Sequence, residues 1–208
     1  AAPPIASAAA LCFIMGYNAR LALEITLAAT LLTPVLGPLT VALLLPEAPE
    51  LAMGALALRL GAMIAGAVLV ALAIRRLAGP ERLARNAAVM DGLGVIALVV
   101  FVVPLFDGVP AQILADPALA LGVAALAALA NLGTNLALVA GLGIGFGGRI
   151  GRAEAGALGI VFANRTIAMY LAAVPPEPRL ALFVALYQVP MLLTPMVLRG
   201  LARDRRGV

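Results

Sequence analysis

The chain has 208 residues, 64% of them hydrophobic and 12% charged, with a mean hydropathy of +1.12. A soluble domain carries about 25% charged residues, so half of the usual polar cover is absent and the chain reads as an integral membrane protein. With no histidine, no tryptophan and a single cysteine, Cys12, it excludes imidazole acid–base chemistry, Cys/His metal sites and an intrachain disulfide. The fourteen basic residues are all arginine and sit in short loops rather than on one face, so the pI of 10.2 does not point to nucleic acid.

The apolar runs are continuous rather than alternating, which predicts membrane helices and not barrel strands. Residues 4–16 are too short to cross alone, and Cys12 within them reads as a small core residue. Residues 20–45 are long enough, with interruptions expected at Thr33-Pro34 and Gly37-Pro38, and end at the acidic stretch Pro46–Glu50. Spans follow at 51–74, closed by Arg75-Arg76 and Gly79-Pro80, and at 87–106 before the turn-rich stretch Asp107–Pro117. A long span at 118–146 carries Asn131, Thr134 and Asn135, a stripe that reads as interhelical glue. After the turn Gly147–Gly151 come 153–174, then Pro175-Pro176, and a last span at 180–198. Six full crossings and one half-length piece result.

The loops sort by charge. Arg75, Arg76, Arg82 and Arg85, then Arg149 and Arg152, then Arg199, Arg203, Arg205 and Arg206 fall in alternate connections. Glu47 and Glu50, Asp107 and Asp116, and Glu177 with Arg179 fall in the others. Arginine-rich loops stay in the cytoplasm, which places the C-terminus and Arg20 on that side.

Two segments about 160 residues apart look alike. Arg20-Leu21-Ala22-Leu23 leads into Leu31-Leu32-Thr33-Pro34, and Arg179-Leu180-Ala181-Leu182 leads into Leu192-Leu193-Thr194-Pro195. Arg20 is expected inside and Arg179 outside, so the copies run in opposite directions, as in the inverted repeats of secondary transporters. Four spans precede the second copy and only the piece 4–16 precedes the first. Symmetry therefore leads us to expect about three and a half more helices ahead of Ala1, in a chain truncated at its N-terminus.

Asn164-Arg165-Thr166 lies in the middle of span 153–174, near the bilayer midplane. An arginine there costs about 2.5–3.5 kcal/mol even on the lenient insertion scale and cannot shed its proton. It faces a ligand or organises a site, or else it is a structural ion pair or hydrogen-bonded clamp. In the matching place of the first copy stands Pro3-Pro4-Ile5-Ala6-Ser7, where two prolines must unwind the helix. Paired discontinuities of this kind mark substrate sites in transporters. Glu24, one turn after Arg20, reads as its interfacial partner. Arg59 and Asp91 read as snorkelling or helix-pairing residues, and Thr26, Thr30 and Thr33 as bonding back to their own helix.

Pro3-Pro4-Ile5-Ala6-Ser7, Ala29-Thr30-Leu31-Leu32-Thr33-Pro34 and Gly159 through Ala168 with its Asn164-Arg165 together resemble the bile acid:sodium symporter family. The likeness is greatest to its bacterial, transporter-like branch, and it omits the first three family helices. The resemblance implies an all-α polytopic membrane protein, an inverted-repeat secondary transporter with two broken helices crossing in a core beside a panel. It implies that residues 1–45 end the first repeat, that 46–109 are panel-type helices, and that 110–208 are the core helices of the second repeat, including the broken helix 153–174. Pro3, Pro4, Ser7, Asn164, Arg165 and Thr166 would then line the substrate site. Of the family's sodium ligands, Ser7 and Thr26 match and Asn164 remains, but Ala8, Gly159 and Ala163 replace an amide, a carboxylate and a second amide. That leaves too few oxygens for two sodium ions. A residual Na+ at Ser7, Thr26 and Asn164 is the sole cofactor in view, and Glu at 159 with Gln at 163 would restore part of a sodium dependence. The related arsenite exporters place a cysteine where prolines stand here.

The expected function is alternating-access transport of a small organic anion in a bacterial inner membrane, by a multi-pass protein that acts on no nucleic acid and is not an enzyme. The alternatives are a non-transporting sensor or scaffold, or an inactive fragment, that kept the transporter fold.

Overall fold

In a computed structural model of the chain, residues 2–44, 53–145, 150–174 and 177–204 are described. The acidic stretch 46–50, Arg149, Pro175-Pro176, Arg205 and Arg206 lie outside them. The described residues are predominantly helical, with no strand among them, and the protein is an all-α polytopic membrane protein. The reason is that lipid offers the backbone no hydrogen bonds, so each spanning segment must satisfy its own.

The half-length piece is α1 (Ala8–Met15), and α2 (Ala19–Leu44) is the first long helix. Gly16 closes α1 in the left-handed region at φ 72°, where a Cβ would be strained, and Tyr17 N then donates to Cys12 O at 2.8 Å. Asn18 caps α2 by accepting from Leu21 N at 3.0 Å, while its amide donates to Glu154 Oε1 at 3.3 Å. Next come α3 (Met53–Ala78), the short α4 (Pro80–Arg85), α5 (Ala87–Leu105) and α6 (Val109–Ala115). The long span at 118–146 is two helices, α7 (Pro117–Ala128) and α8 (Thr134–Gly145), joined by a π-helical turn at Leu129–Gly133. Span 153–174 is divided into α9 (Arg152–Ala163) and α10 (Met169–Ala173), and α11 (Pro178–Asp204) ends the described chain.

Five of these stretches are long and apolar enough to cross a membrane: Ala19–Leu43, Met53–Ala78, Ala87–Ala115, Pro117–Leu142 and Pro178–Leu198. Their outer surfaces are apolar, with Leu77 85% and Leu114 81% exposed, as a lipid-facing surface requires. Two expectations need correcting. Of the six full crossings expected, 153–174 is not among these five stretches, because it is divided into two short helices, α9 and α10. Pro34 and Pro38 do not interrupt α2, which runs straight through both, as α11 does through Pro190 and Pro195. Neighbouring helices and back-bonding hydroxyls let a membrane helix tolerate the missing N–H groups. Thr33 Oγ1 donates to Ala29 O at 2.7 Å, and Thr26 and Thr30 bond back in the same way to Ala22 and Thr26.

The central core is made of small residues. Ala8 and Cys12 of α1, Ala22 of α2, Ala157, Ile160 and Val161 of α9 and Leu198 of α11 are buried together. Alanines here let backbones approach closely, and dispersion contacts replace the hydrophobic drive that lipid removes. Arg20 and Glu24 form the one ion pair among the described residues, 2.8 Å and exposed.

Candidate functional site at the helix crossing

Pro3 and Pro4 precede α1 in extended backbone, and Asn164 ends α9 with φ −93° and ψ 96°. These two unwound segments meet, and Pro4 and Arg165 form an antiparallel bridge. Ile5 N donates to Asn164 O at 2.9 Å and Thr166 N donates to Pro3 O at 2.8 Å. The composition of each segment explains the fit. Prolines have no N–H, so the first segment offers mainly carbonyls, and the second supplies donors to match. Arg165 Nη1 donates to Ala2 O at 2.7 Å and Thr166 Oγ1 to Pro4 O at 3.2 Å.

Arg165 is half-buried. Its Nε donates to Phe162 O, one of the carbonyls left over where α9 ends, at 2.9 Å. Its guanidinium carbon lies 5.1 Å from the centre of the Phe162 ring, within cation–π range. Its partners are therefore dipoles and a π face, and no carboxylate pairs with it among the described residues. A full positive charge stands at the crossing with only partial compensation.

Behind the crossing lies a buried amide network. Asn131, placed by the π-helical turn, donates through Nδ2 to Ala163 O at 2.9 Å and to Asn164 Oδ1 at 3.1 Å. Thr194 Oγ1 donates to Asn131 Oδ1 at 2.8 Å, and the Tyr187 hydroxyl donates to Ala163 O. Asn164 Nδ2 turns back to Ile160 O at 3.0 Å. Asn131, Asn135, Asn164 and Thr194 are all fully buried. The network ties α9 and the π turn to α11 at the level of the break, which holds the unwound backbone rigid. Asn135 is the exception: its Nδ2 reaches Asn131 O only at 3.4 Å, and its Oδ1 has no hydrogen-bond partner among the described residues.

Pro3, Pro4, Asn164, Arg165 and Thr166, all expected in one site, are brought together. Ser7 is exposed beside them at the start of α1, with its hydroxyl making no capping bond. The three sodium candidates lie on three elements, Ser7 ahead of α1, Thr26 on α2 and Asn164 at the end of α9. Thr26 gives its hydroxyl to Ala22 O, and the amide oxygen of Asn164 is taken by Asn131. No hydrogen bond joins Ser7 or Thr26 to Asn164, and no acidic cluster that could hold a metal is present among the described residues. At Gly159 an added Cβ would lie 2.9 Å from Val139 Cγ2 and 3.3 Å from Asn135 Oδ1, so a glutamate there has no room.

Asn131 and Asn135 read as glue, and Asn131 is the hub of the site. Tyr187 and Thr194 were not singled out as site residues, although Thr194 lies in the repeated Leu-Leu-Thr-Pro motif, the signal that could have found it. Fold and site together define a multi-pass helical membrane protein whose polar interior is built where two unwound segments cross. No protein-family model matches the chain, and neither a curated protein nor a solved structure matches it.

Proposed function

We propose that the chain is a secondary active transporter of a small organic anion, working by alternating access in a bacterial inner membrane with its C-terminus in the cytoplasm. The observation that carries the reading is the crossing itself: two unwound segments, paired through Pro4 and Arg165, with an arginine that has no carboxylate partner among the described residues. Irregular backbone within a membrane is tolerated where it lines a protein cavity, and transporters use it to bind substrate and coupling ions.

The sequence repeat supports this reading. Pro34 lies 30 residues after Pro4, and Pro195 lies 30 residues after Arg165. In this register the pair that bridges at the crossing would be a pair of equivalent positions, as a two-fold axis in the membrane plane requires. Thr33 and Thr194, each just before the later proline, are both buried and both bond back four residues along their own helix. On this reading the two bundled copies form a core, and α3 with α5 form a panel against which it rocks. The planar fork of Arg165 suits a carboxylate or sulfonate better than a point charge would. The departures at Gly159 and Ala163 argue against two-sodium coupling and favour a proton-linked or uncoupled cycle.

Reconstituted protein should bind or move a carboxylate or sulfonate with little response to replacing sodium by choline. Arg165→Lys keeps the charge and loses the fork. It should weaken anion binding by about 1.5–3 kcal/mol, the range for charged hydrogen bonds, with near-normal yield. The rival reading, a scaffold that kept the fold, draws on the bonds from Arg165 to Ala2 O and Phe162 O. It calls for the opposite result: damaged folding, with any residual anion affinity intact.

A further inference from the structure

We propose that the outer end of the molecule is a closed gate over the crossing and that Arg59 is its latch. The inference rests on the transport reading above and on the arginine-based orientation. Helix α3 is packed at one end only. Its buried residues, Leu56 and Leu60, lie in its first half, where they form a cluster with Ala173, Met169 and Tyr170 of α10's neighbourhood and with Val41 of α2. From Ala65 to Leu77 every residue is exposed. Thirteen consecutive positions cover all faces of a helix at 3.6 residues per turn, so no residue of that half is buried by the described residues. The panel touches the core on the acidic-loop side and stands away from it on the arginine side.

The short helix α10 is the plug. It lies between the break at Arg165 and the outer loop, and it is wedged between α2 and α3. The Tyr170 hydroxyl lies over Gly37 of α2, where an added Cβ would be 2.7 Å from it, and Leu60 closes the same notch from α3 at 3.3 Å. The carbonyls at the end of α10 have no helical partners. Arg59 Nη1 donates to one of them, Ala173 O, at 3.1 Å, across 114 residues of sequence. Arg59 sits about 9 Å into α3, near enough to the outer surface to snorkel there. It turns sideways instead, and places its cation at the negative end of α10. Opening the outer side requires α3 to part from α10, and this bond is a polar contact that must break. On this proposal the exposed Ser7 at the crossing is open to the arginine-rich side and closed to the other.

The test uses the full chain in oriented sealed vesicles, with Cys12→Ala removing the native thiol and Ser7→Cys as reporter. A charged, membrane-impermeant thiol reagent is added to one side at a time. With Arg59 present, labelling should be at least about tenfold faster from the arginine-rich side. Arg59→Met should raise the outer rate by about tenfold, the change in equilibrium that losing one charged hydrogen bond produces. Arg59→Lys, which can still donate to Ala173 O, should stay nearer the wild type. Equal labelling from both sides with Arg59 intact, or an outer rate indifferent to Arg59→Met, overturns the proposal. A second measurement keeps Arg59: Leu56→Cys with Ala173→Cys should oxidise to a disulfide and abolish residual outer labelling while inner labelling persists. Failure of that cross-link also overturns it. None of these readouts needs a substrate. A working latch in a protein that moves no organic anion would remove the transport reading alone, and anion transport with an indifferent Arg59 would remove the latch alone.

Discussion

Two asparagines one turn apart, both fully buried, should respond in opposite ways to the same substitution. Asn131 makes three side-chain bonds: to Ala163 O, to Asn164 Oδ1, and from Thr194 Oγ1. In Asn131→Leu, a change of similar volume, Ala163 O keeps the Tyr187 hydroxyl and Thr194 keeps Pro190 O. Asn164 Oδ1 alone is stranded, at about 1–3 kcal/mol for a buried unsatisfied group. Lost interhelical bonds in a membrane average about 0.6 kcal/mol each, so the total should be about 2–4 kcal/mol of destabilisation. Asn135 makes one long bond at 3.4 Å and carries an oxygen without a partner. Asn135→Leu removes that liability and should leave stability unchanged or raise it by up to about 1 kcal/mol. Reversible unfolding in mixed micelles, followed by circular dichroism against denaturant, measures both. A cycle pairing Asn131→Leu with Thr194→Val should show sub-additive losses, because the two share a bond. Equal losses for the two asparagines would refute the reasoning, since it rests on their hydrogen bonds and not on their common burial.

Gly159→Ala should lower stability by about 1–3 kcal/mol through overpacking against Val139, and Gly159→Glu should reduce yield of folded protein without creating sodium-dependent binding; size-exclusion recovery and sodium titration read these out. Cysteines placed at Gln112 and Glu177 should react with an impermeant thiol reagent from outside the cell, and one at Gly79 should not; mixed labelling within the outer pair would overturn the orientation. Arg20→Ala should change stability by less than about 1 kcal/mol, because its pair with Glu24 is exposed on both partners; a larger shift in the unfolding midpoint would give the pair a role beyond the surface.

What the sequence determined by itself is what covalent chemistry and solvent impose locally. Continuous apolar runs had to be helices, because an unpaired backbone cannot sit in lipid. Pro3-Pro4 had to lie outside a helix, since neither residue can donate to the turn before it. The threonines bonded back to their own turns, Glu24 found Arg20 one turn away, and Cys12 went into a core of small residues, all as expected. The chain's local chemistry was silent where the outcome depended on contacts more than a hundred residues apart, or on how one helix deviates. That Pro34 and Pro38 would leave α2 unbroken was settled by its neighbours, and that Asn131 would turn inward was settled by a π-helical turn no residue pattern announces. The pairing of Pro4 with Arg165, the reach of Arg59 to Ala173, and the meeting of Tyr187 and Thr194 with the end of α9 belong to the tertiary structure alone. Each joins groups whose individual propensities are ordinary, and only close packing decides which buried donor faces which buried acceptor.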